Sequence, residues 1–350
     1  MKHFIYCIIF LVILVSFVSC SNNNPANIKT NSKKISIVTT IFPEYDWVKN
    51  IIGDKFSNFD ITMLYNAGTD LHSYQPSADD IIKISNSDIF IYVGGESDEW
   101  IEEVLEKNVN KNITVINLLN LLEELKLAKE EETVEGMQEE EHDNEHGHKY
   151  LEEPKDYHNK HRDKHNHDSD VKEYDEHVWL SLRNAKIFVK KIAEVICIKD
   201  SANANTYKNN VKDYIDRLTD LDLKYKHVVD SSSMKTILFG DRFPFRYLVD
   251  DYGLKYFAAF AGCSAESEAS FETIIFLSKK VDELKLNTIL TIEGNNHKIA
   301  QTIIQNTKSK NQNIAVINSM QSITAQDIEK GISYISIMEQ NIDVLSQSLK

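Results

Sequence analysis

The hydrophobic positions of the chain form short, dense runs that alternate with amphipathic stretches. Eight runs rich in apolar and β-branched residues are typical of strands buried on both faces. They occupy residues 35–40, 60–65, 89–93, 114–118, 236–240, 255–260, 288–292 and 313–317. Helical spacing fills the intervals 45–52, 78–85, 271–284 and 298–306. This alternation predicts an α/β fold with parallel sheets in two groups, which we interpret as two lobes.

The stretch between the two groups predicts a helical connector. Residues 183–229 contain neither Gly nor Pro and keep apolar residues at helical spacing. They form either one helix, about 65 Å long at 1.5 Å per residue, or two helices joined at Ser201–Asn205. We therefore expect an N-terminal lobe over 35–181, a linker helix over 182–230 and a C-terminal lobe over 231–350.

The amino-terminal residues have the pattern of an export signal. In Met1–Cys20 a charged start precedes the apolar run 4–18, which is shorter than the ~20 residues of a spanning helix. The small-residue–Cys ending resembles the bacterial lipobox, with Phe17 where Leu is usual. This predicts lipidation at Cys20 and a flexible tether over 21–34, and the alternative is an uncleaved anchor helix. Both interpretations put the folded part outside the cytoplasm.

The net charge of −15 is concentrated in one segment. Residues 130–176 hold 18 Asp or Glu and 6 Lys or Arg, a net of −12, which leaves −3 for the rest of the chain. A chain of this charge lacks the basic face that nucleic acid requires, so we expect no nucleic-acid partner. Because residues 130–176 contain few aliphatic side chains, they predict a disordered loop within the N-terminal lobe.

The same segment is rich in histidine, a compositional signal of metal binding. Imidazole suits Zn²⁺, Cu²⁺ and Ni²⁺, so we predict an accessory metal-binding loop, with a purely solvated acidic loop as the alternative. Seven of the 12 histidines of the chain lie here, namely His142, His146, His148, His158, His161, His165 and His167.

Two further histidines occupy positions where ligands are expected. His72 lies in the loop 67–77, between a predicted strand and a helix that Ser77 caps. Loops at the carboxyl ends of parallel strands are where such folds bind ligands. His177 directly follows the acidic segment and precedes the connector. We predict that both histidines ligate a metal ion.

Five stretches of the chain match one family of proteins, namely Val38–Asp54, Gly68–Gly95, His177–Glu194, Asp241–Ile274 and the closing Ile332–Lys350. They resemble the zinc-binding solute-binding proteins of ABC importers, the ZnuA/AdcA type, whose wider cluster includes manganese-binding relatives. The resemblance implies two Rossmann-like lobes with parallel sheets, joined by a long backbone helix. It also implies a metal site in the cleft, with His72 and His177 as ligands.

The chain departs from that family at the third and fourth ligands. The third is usually His or Glu, but here Gly240-Asp241-Arg242 offers only Asp241, which can alternatively pair with a neighbouring arginine. Asn318-Ser319 falls near the fourth and has no carboxylate, so Glu293 is our candidate. His297 could also substitute at this position, and Glu266 and Glu268 are weaker candidates. Cys263 could ligate as well, but we expect it to be a small buried thiol.

The resemblance implies an extracytoplasmic receptor that captures Zn²⁺ and delivers it to an ABC permease and its ATPase. We expect a monomer, anchored through Cys20 at the outer face of the cytoplasmic membrane or in the periplasm. The alternatives are a Mn²⁺ receptor of the same cluster, or a surface metal buffer or adhesion lipoprotein. A metal-dependent hydrolase is disfavoured, since HExxH and GxSxG are absent, and we expect no enzymatic activity. Whether Cys197 and Cys263 pair is left open.

Overall fold

The computed structural model describes residues 34–107, 110, 112–138, 173–264, 268–294 and 296–350. The predictions for the export signal, Cys20, the tether, Glu266 and the seven histidines of 142–167 lie outside these residues.

The first sheet contains four parallel strands in the order β2-β1-β3-β4. They are β1 (Ile35–Thr39), β2 (Phe59–Met63), β3 (Ile89–Tyr92) and β4 (Thr114–Asn117). The helices of this lobe are α1 (Phe42–Ile52), α2 (Ala78–Asn86), α3 (Glu99–Lys107) and α4 (Leu118–Glu124). In register, Ile37 lies opposite Ile61 of β2 and Ile89 of β3, which places apolar side chains in one layer. The strand order reverses between β1 and β3, where such sheets open a crevice for ligands.

The connector is two helices that pack against each other, α5 (Leu182–Lys199) and α6 (Ala204–Ser231). The helix breaks at Asp200, because its carboxylate accepts hydrogen bonds from Asn58, Asn203 and Tyr207. The single helix predicted over 182–230 is therefore wrong, and the alternative of two helices is the form observed. α6 alone spans about 42 Å at 1.5 Å per residue. Within the described part of the chain, every helix is too short or too polar to cross a bilayer.

The second sheet repeats the topology of the first, with the order β6-β5-β7-β8 and all pairs parallel. Its strands are β5 (Thr236–Phe243), β6 (Lys255–Ala261), β7 (Thr288–Thr291) and β8 (Asn313–Val316). Its helices are α7 (Arg246–Tyr252), α8 (Phe271–Leu284), α9 (Lys298–Asn306), α10 (Ala325–Glu329) and α11 (Tyr334–Ser348).

All eight predicted strands are confirmed, and β5 alone extends three residues beyond its predicted end. α8 and α9 begin and end where the spacing predicts. The sequence missed α3, α4, α7 and α10, which have five to nine residues each. Two turns of helix give too few apolar repeats for a clear period.

Residues at both ends of the acidic segment make defined contacts, although composition assigns them to a disordered loop. Glu131 N–H donates to the Glu173 carbonyl at 3.0 Å, beside an antiparallel bridge between Glu130 and Tyr174. Met137 is buried, and Gln138 N–H donates to the carbonyl of Ala259 on β6. The range 130–176 predicted for the disordered loop therefore includes too many residues at both ends, because the residues there pair with each other and with the second lobe.

The last helix returns to the first lobe and closes the core there. The ring of Tyr334 packs edge-on against Trp47 of α1, with centroids 5.3 Å apart. Its backbone N–H donates to Asp46 Oδ2, and its hydroxyl donates to the Trp179 carbonyl at 2.7 Å. This contact joins the carboxyl terminus to α1 and to the segment that carries His177.

The core contact predicts a stability change. Trp47 is 0% exposed, so we expect Trp47→Ala to lower the free energy of unfolding by about 3–5 kcal/mol through lost burial and a cavity. The matched control is Phe56→Ala, because Phe56 is 44% exposed and its loss should change stability by less than about 0.5–1 kcal/mol. Urea unfolding of both variants measures the difference, and equal losses would contradict this account of the core.

Candidate metal centre

Four loops from the two lobes meet at one point. His72 lies after β2 and Ser97 after β3, whereas Cys263 lies after β6 and Gln321 after β8. Each side chain therefore follows the carboxyl end of a parallel strand, the position expected for a ligand site in this type of sheet. His177 joins them from the segment that leads into α5.

His72 is fixed by a short turn that begins at Asp70. The Asp70 carboxylate accepts a hydrogen bond from His72 N–H, and the next residue, Leu71, is buried. On the ring, Nδ1 lies 2.7 Å from Ser97 Oγ and 3.5 Å from Glu176 Oε2. These oxygens favour a proton on Nδ1, which leaves the Nε2 lone pair free.

His177 is 0% exposed and is oriented by its neighbour two residues before it. Asp175 Oδ1 accepts from His177 N–H at 2.8 Å and lies 3.1 Å from Nδ1. This pairing also favours the Nδ1–H tautomer, so that Nε2 carries the lone pair. The backbone of Gly262 presses against the ring: a Cβ there would lie 2.9 Å from Cε1 of His177. Glycine is therefore required at 262 for the loop after β6 to approach His177.

The two free ring nitrogens face each other. His72 Nε2 and His177 Nε2 are 3.2 Å apart, and the buried Gln321 Nε2 lies 2.8 Å from the latter. Two ligand nitrogens at about 2.05 Å from one tetrahedral ion would be about 3.3 Å apart. The spacing therefore fits a shared metal ion.

Buried carboxylates lie next to the histidines, and a cation nearby would offset their negative charge. Glu176 is buried, and its Oε2 accepts no hydrogen bond from the described residues. Burial raises the pKa of Glu176 to about 7, against the opposing hydrogen bonds of Ser97 and the charge of His177. Gly95 lets this carboxylate approach, because a Cβ there would lie 2.4 Å from Glu176 Oε1.

The two histidines respond differently to this environment. Burial and the neighbouring His177 lower the pKa of His72 to about 3. Burial also acts to lower the pKa of His177, but the carboxylates of Asp175 and Glu176 outweigh it and leave that pKa above its usual value. Because two imidazolium ions 3.2 Å apart repel each other, the pair takes up one proton rather than two.

Cys263 completes the only cluster of three possible metal ligands among the described residues. One nitrogen of His72, one nitrogen of His177 and Cys263 Sγ all lie within 4.8 Å of one another. Cys263 and Cys197 are both free thiols. Burial, together with the charges of Glu131 and Asp175, holds the pKa of the Cys263 thiol well above its usual value.

Asp241 and Glu293 are not brought to the two ring nitrogens. Asp241 accepts hydrogen bonds from the backbone of Arg242 and Ile292, which joins β5 to the end of β7. Its neighbour Arg242 donates to Asp70 Oδ2 at 2.6 Å, across the two lobes. Glu293 accepts from Ser319 N–H, Ser319 Oγ and Gln321 N–H. It therefore shapes the turn that positions Gln321.

Sequence reasoning missed several residues of this centre. Gln321 was overlooked because it is neutral. Cys263 was considered as a ligand but was expected to be a buried thiol, because a lone thiol is usually structural. Asp175 and Glu176 were counted as part of a solvated segment. Their signal is the run Asp175-Glu176-His177, in which a carboxylate two residues before a histidine is placed to bond its backbone and ring.

Comparison with known families places the whole folded region in one group. The family model described as "Zinc-uptake complex component A periplasmic" (ZnuA) matches residues 37–348. The chain is 30% identical over 342 residues to the zinc-binding lipoprotein AdcA of Streptococcus pneumoniae, covering 98% of this chain and 59% of AdcA. It thus spans about three fifths of that relative. It is 28% identical over 332 residues to the high-affinity zinc uptake system protein ZnuA of Bacillus subtilis, covering 95% of this chain and 93% of that one.

A solved structure agrees with these matches. The Zn(II)-bound ZnuA-like domain of Streptococcus pneumoniae AdcA superposes with a TM-score of 0.65 at 26% identity, covering 90% of this chain and 99% of that domain. The two parallel sheets and helical connector described above are thus those of a known zinc-bound relative. With a family model that spans nearly all of the folded region, this chain belongs to the ZnuA family of zinc-uptake component A proteins.

Proposed function

We propose that this protein is an extracytoplasmic receptor of an ABC importer, which binds Zn²⁺ between its lobes and delivers it to a membrane permease and ATPase. The observation that carries the proposal is the 3.2 Å approach of His72 Nε2 and His177 Nε2. Membership of the ZnuA family and the zinc-binding description of the AdcA relative support it. The activity is reversible coordination, in which no covalent bond of a substrate is made or broken.

The chemistry of the pair explains why a cation is favoured. Two neutral imidazoles with facing lone pairs repel each other unless a proton, a donor or a metal ion lies between them. Gln321 Nε2 serves as a donor to His177. A divalent ion satisfies both nitrogens and also offsets the buried charges of Asp175 and Glu176. Imidazole ligation favours Zn²⁺ over Mn²⁺, so the manganese receptor is the second candidate.

The proposal extends to the anchor and the partners. The lipobox-like residues around Cys20 support attachment to the outer face of the membrane, as does the description of the AdcA relative as a lipoprotein. Such an anchor keeps the receptor near the permease to which it delivers the ion. The histidines of 142–167 act in this proposal as an accessory that collects metal ions, and catalysis has no part in it.

The site and the histidine-rich loop are separable by mutation. We expect the double substitution His72→Ala and His177→Ala to weaken tight Zn²⁺ binding by more than about 100-fold, since loss of an outer partner alone costs 10–100-fold. Replacing residues 139–172 by a Gly-Ser linker should leave that Kd nearly unchanged. The replacement keeps Met137 and Gln138, which contact the second lobe. Competition with a chromophoric chelator measures the Kd for Zn²⁺ of both variants. If tight binding disappeared with the loop and survived the double substitution, the protein would be a metal buffer.

An outer partner of the site has its own expected effect. Asp175→Ala removes the acceptor that orients His177, while leaving both imidazoles present. We expect a 10–100-fold increase in the Kd for Zn²⁺, which is the usual cost of losing such a partner. Asp250→Ala is a matched control, because Asp250 lies on α7 and pairs with Lys129 near the surface. Equal Kd values for the two variants would remove Asp175 from the account.

The pKa directions predict how binding depends on pH. A proton and a metal ion compete for His177, whose pKa is raised, so affinity falls as the pH drops through that pKa. His72 remains neutral until about pH 3. As the pH is lowered through the pKa of His177, the slope of log Kd against pH should therefore steepen by one proton, not two. A slope that steepened by two, or that stayed constant, would contradict the described pair.

A further inference from the structure

We propose that Cys263 is a third metal ligand, bound as a thiolate, and that it makes the site select thiophilic ions such as Zn²⁺ over Mn²⁺. This inference rests on the proposed function, since it assigns one more ligand to the same site. It takes the alternative to the expectation that Cys263 is a small buried thiol.

The position of Cys263 in the fold supports its assignment as a ligand. It follows β6, so it enters the site from the second lobe, whereas both histidines are supplied by the chain before α5. Its Sγ and one nitrogen from each histidine lie within 4.8 Å of one another. The preceding Gly262 lets the backbone press against the His177 ring, which brings the thiol to that distance. A ligand at this position links both lobes through the ion.

The distances agree with tetrahedral coordination. With Zn–N near 2.05 Å and Zn–S near 2.3 Å, a nitrogen and a sulfur on one ion are about 3.6 Å apart. Since no pair of the three atoms is more than 4.8 Å apart, a shift of at most about 1.2 Å brings the sulfur to that spacing. Cys and His are also the ligands that Zn²⁺ prefers in proteins.

The charges around Cys263 suit a thiolate only when a cation is present. Glu131 Oε1 accepts from Cys263 N–H at 3.4 Å, and the charges of Asp175 and Glu176 also act on the thiol. These three carboxylates disfavour a negative charge on the sulfur. A divalent ion bound between the sulfur and the two histidines would favour the thiolate instead. On coordination the S–H bond breaks, the sulfur electron pair binds the ion, and the proton leaves to solvent.

Selectivity follows from the ligand type. Two imidazoles and a thiolate form a borderline-soft set that suits Zn²⁺, Co²⁺ and Cd²⁺, while Mn²⁺ prefers oxygen. Oxygen ligands from Asp241 and Glu293 would not supply this discrimination against Mn²⁺. In this structure those oxygens instead accept hydrogen bonds from backbone and serine groups.

Cobalt absorption tests the assignment directly. The chain from Ser21 onward, stripped of metal and given one equivalent of Co²⁺, should show d–d bands together with an intense near-ultraviolet sulfur-to-cobalt charge-transfer band. Cys263→Ser should keep the d–d bands and lose the charge-transfer band. It should also lower the ratio of Zn²⁺ to Mn²⁺ affinity by at least about tenfold. Cys197→Ser is the matched control, because Cys197 is also a free thiol but contacts the Ala204 carbonyl in the connector.

A measurement on the unaltered protein covers the case in which Cys263→Ser does not fold. X-ray absorption of the chain with one equivalent of Zn²⁺ should show one sulfur at about 2.3 Å beside nitrogen ligands. Nitrogen and oxygen scatterers without sulfur would overturn the role of Cys263 and leave the histidine site intact. Absence of tight Co²⁺ and Zn²⁺ binding altogether would overturn the proposed function itself.

Discussion

The facing of two imidazole nitrogens at 3.2 Å is the interaction on which the rest of the site depends. The orientation of the two rings depends on the other nitrogen of each ring. Ser97 lies at Nδ1 of His72 and Asp175 at Nδ1 of His177, so that the two Nε2 lone pairs face each other. Neutral rings in that arrangement are incomplete without a cation or a donor. Because the Nδ1 atoms of both rings already have partners, the Nε2 atoms are the ones available to a shared ion.

Burial of acidic groups strengthens this requirement. Asp175 and Glu176 are each 2% exposed, and Asp98 and Glu44 are also buried in the first lobe. Removing carboxylates from water is costly unless they are hydrogen-bonded or paired with positive charge. Near the histidines, a bound divalent ion would supply that positive charge. Arg242, which pairs with Asp70 across the lobes, places a further fixed positive charge beside the turn of His72.

Much of the fold follows from pattern alone, because strands buried on both faces leave dense apolar runs that sequence reveals directly. His72 and His177, which the sequence predicts as ligands, lie beside each other in the structure. The arrangement of Asp241 and Glu293 was not predictable, because nothing local distinguishes a carboxylate that binds metal from one that accepts backbone hydrogen bonds. In this structure both accept backbone hydrogen bonds. Cys263 and Gln321 reach the site only through the arrangement of β6 and β8 in the second sheet.

The most direct test of the central claim is anomalous diffraction at the zinc edge from crystals of the protein loaded with one equivalent of Zn²⁺. The account predicts a single strong peak between His72 Nε2 and His177 Nε2, within coordination distance of both. A peak elsewhere, with no ion within coordination distance of these two nitrogens, would contradict it.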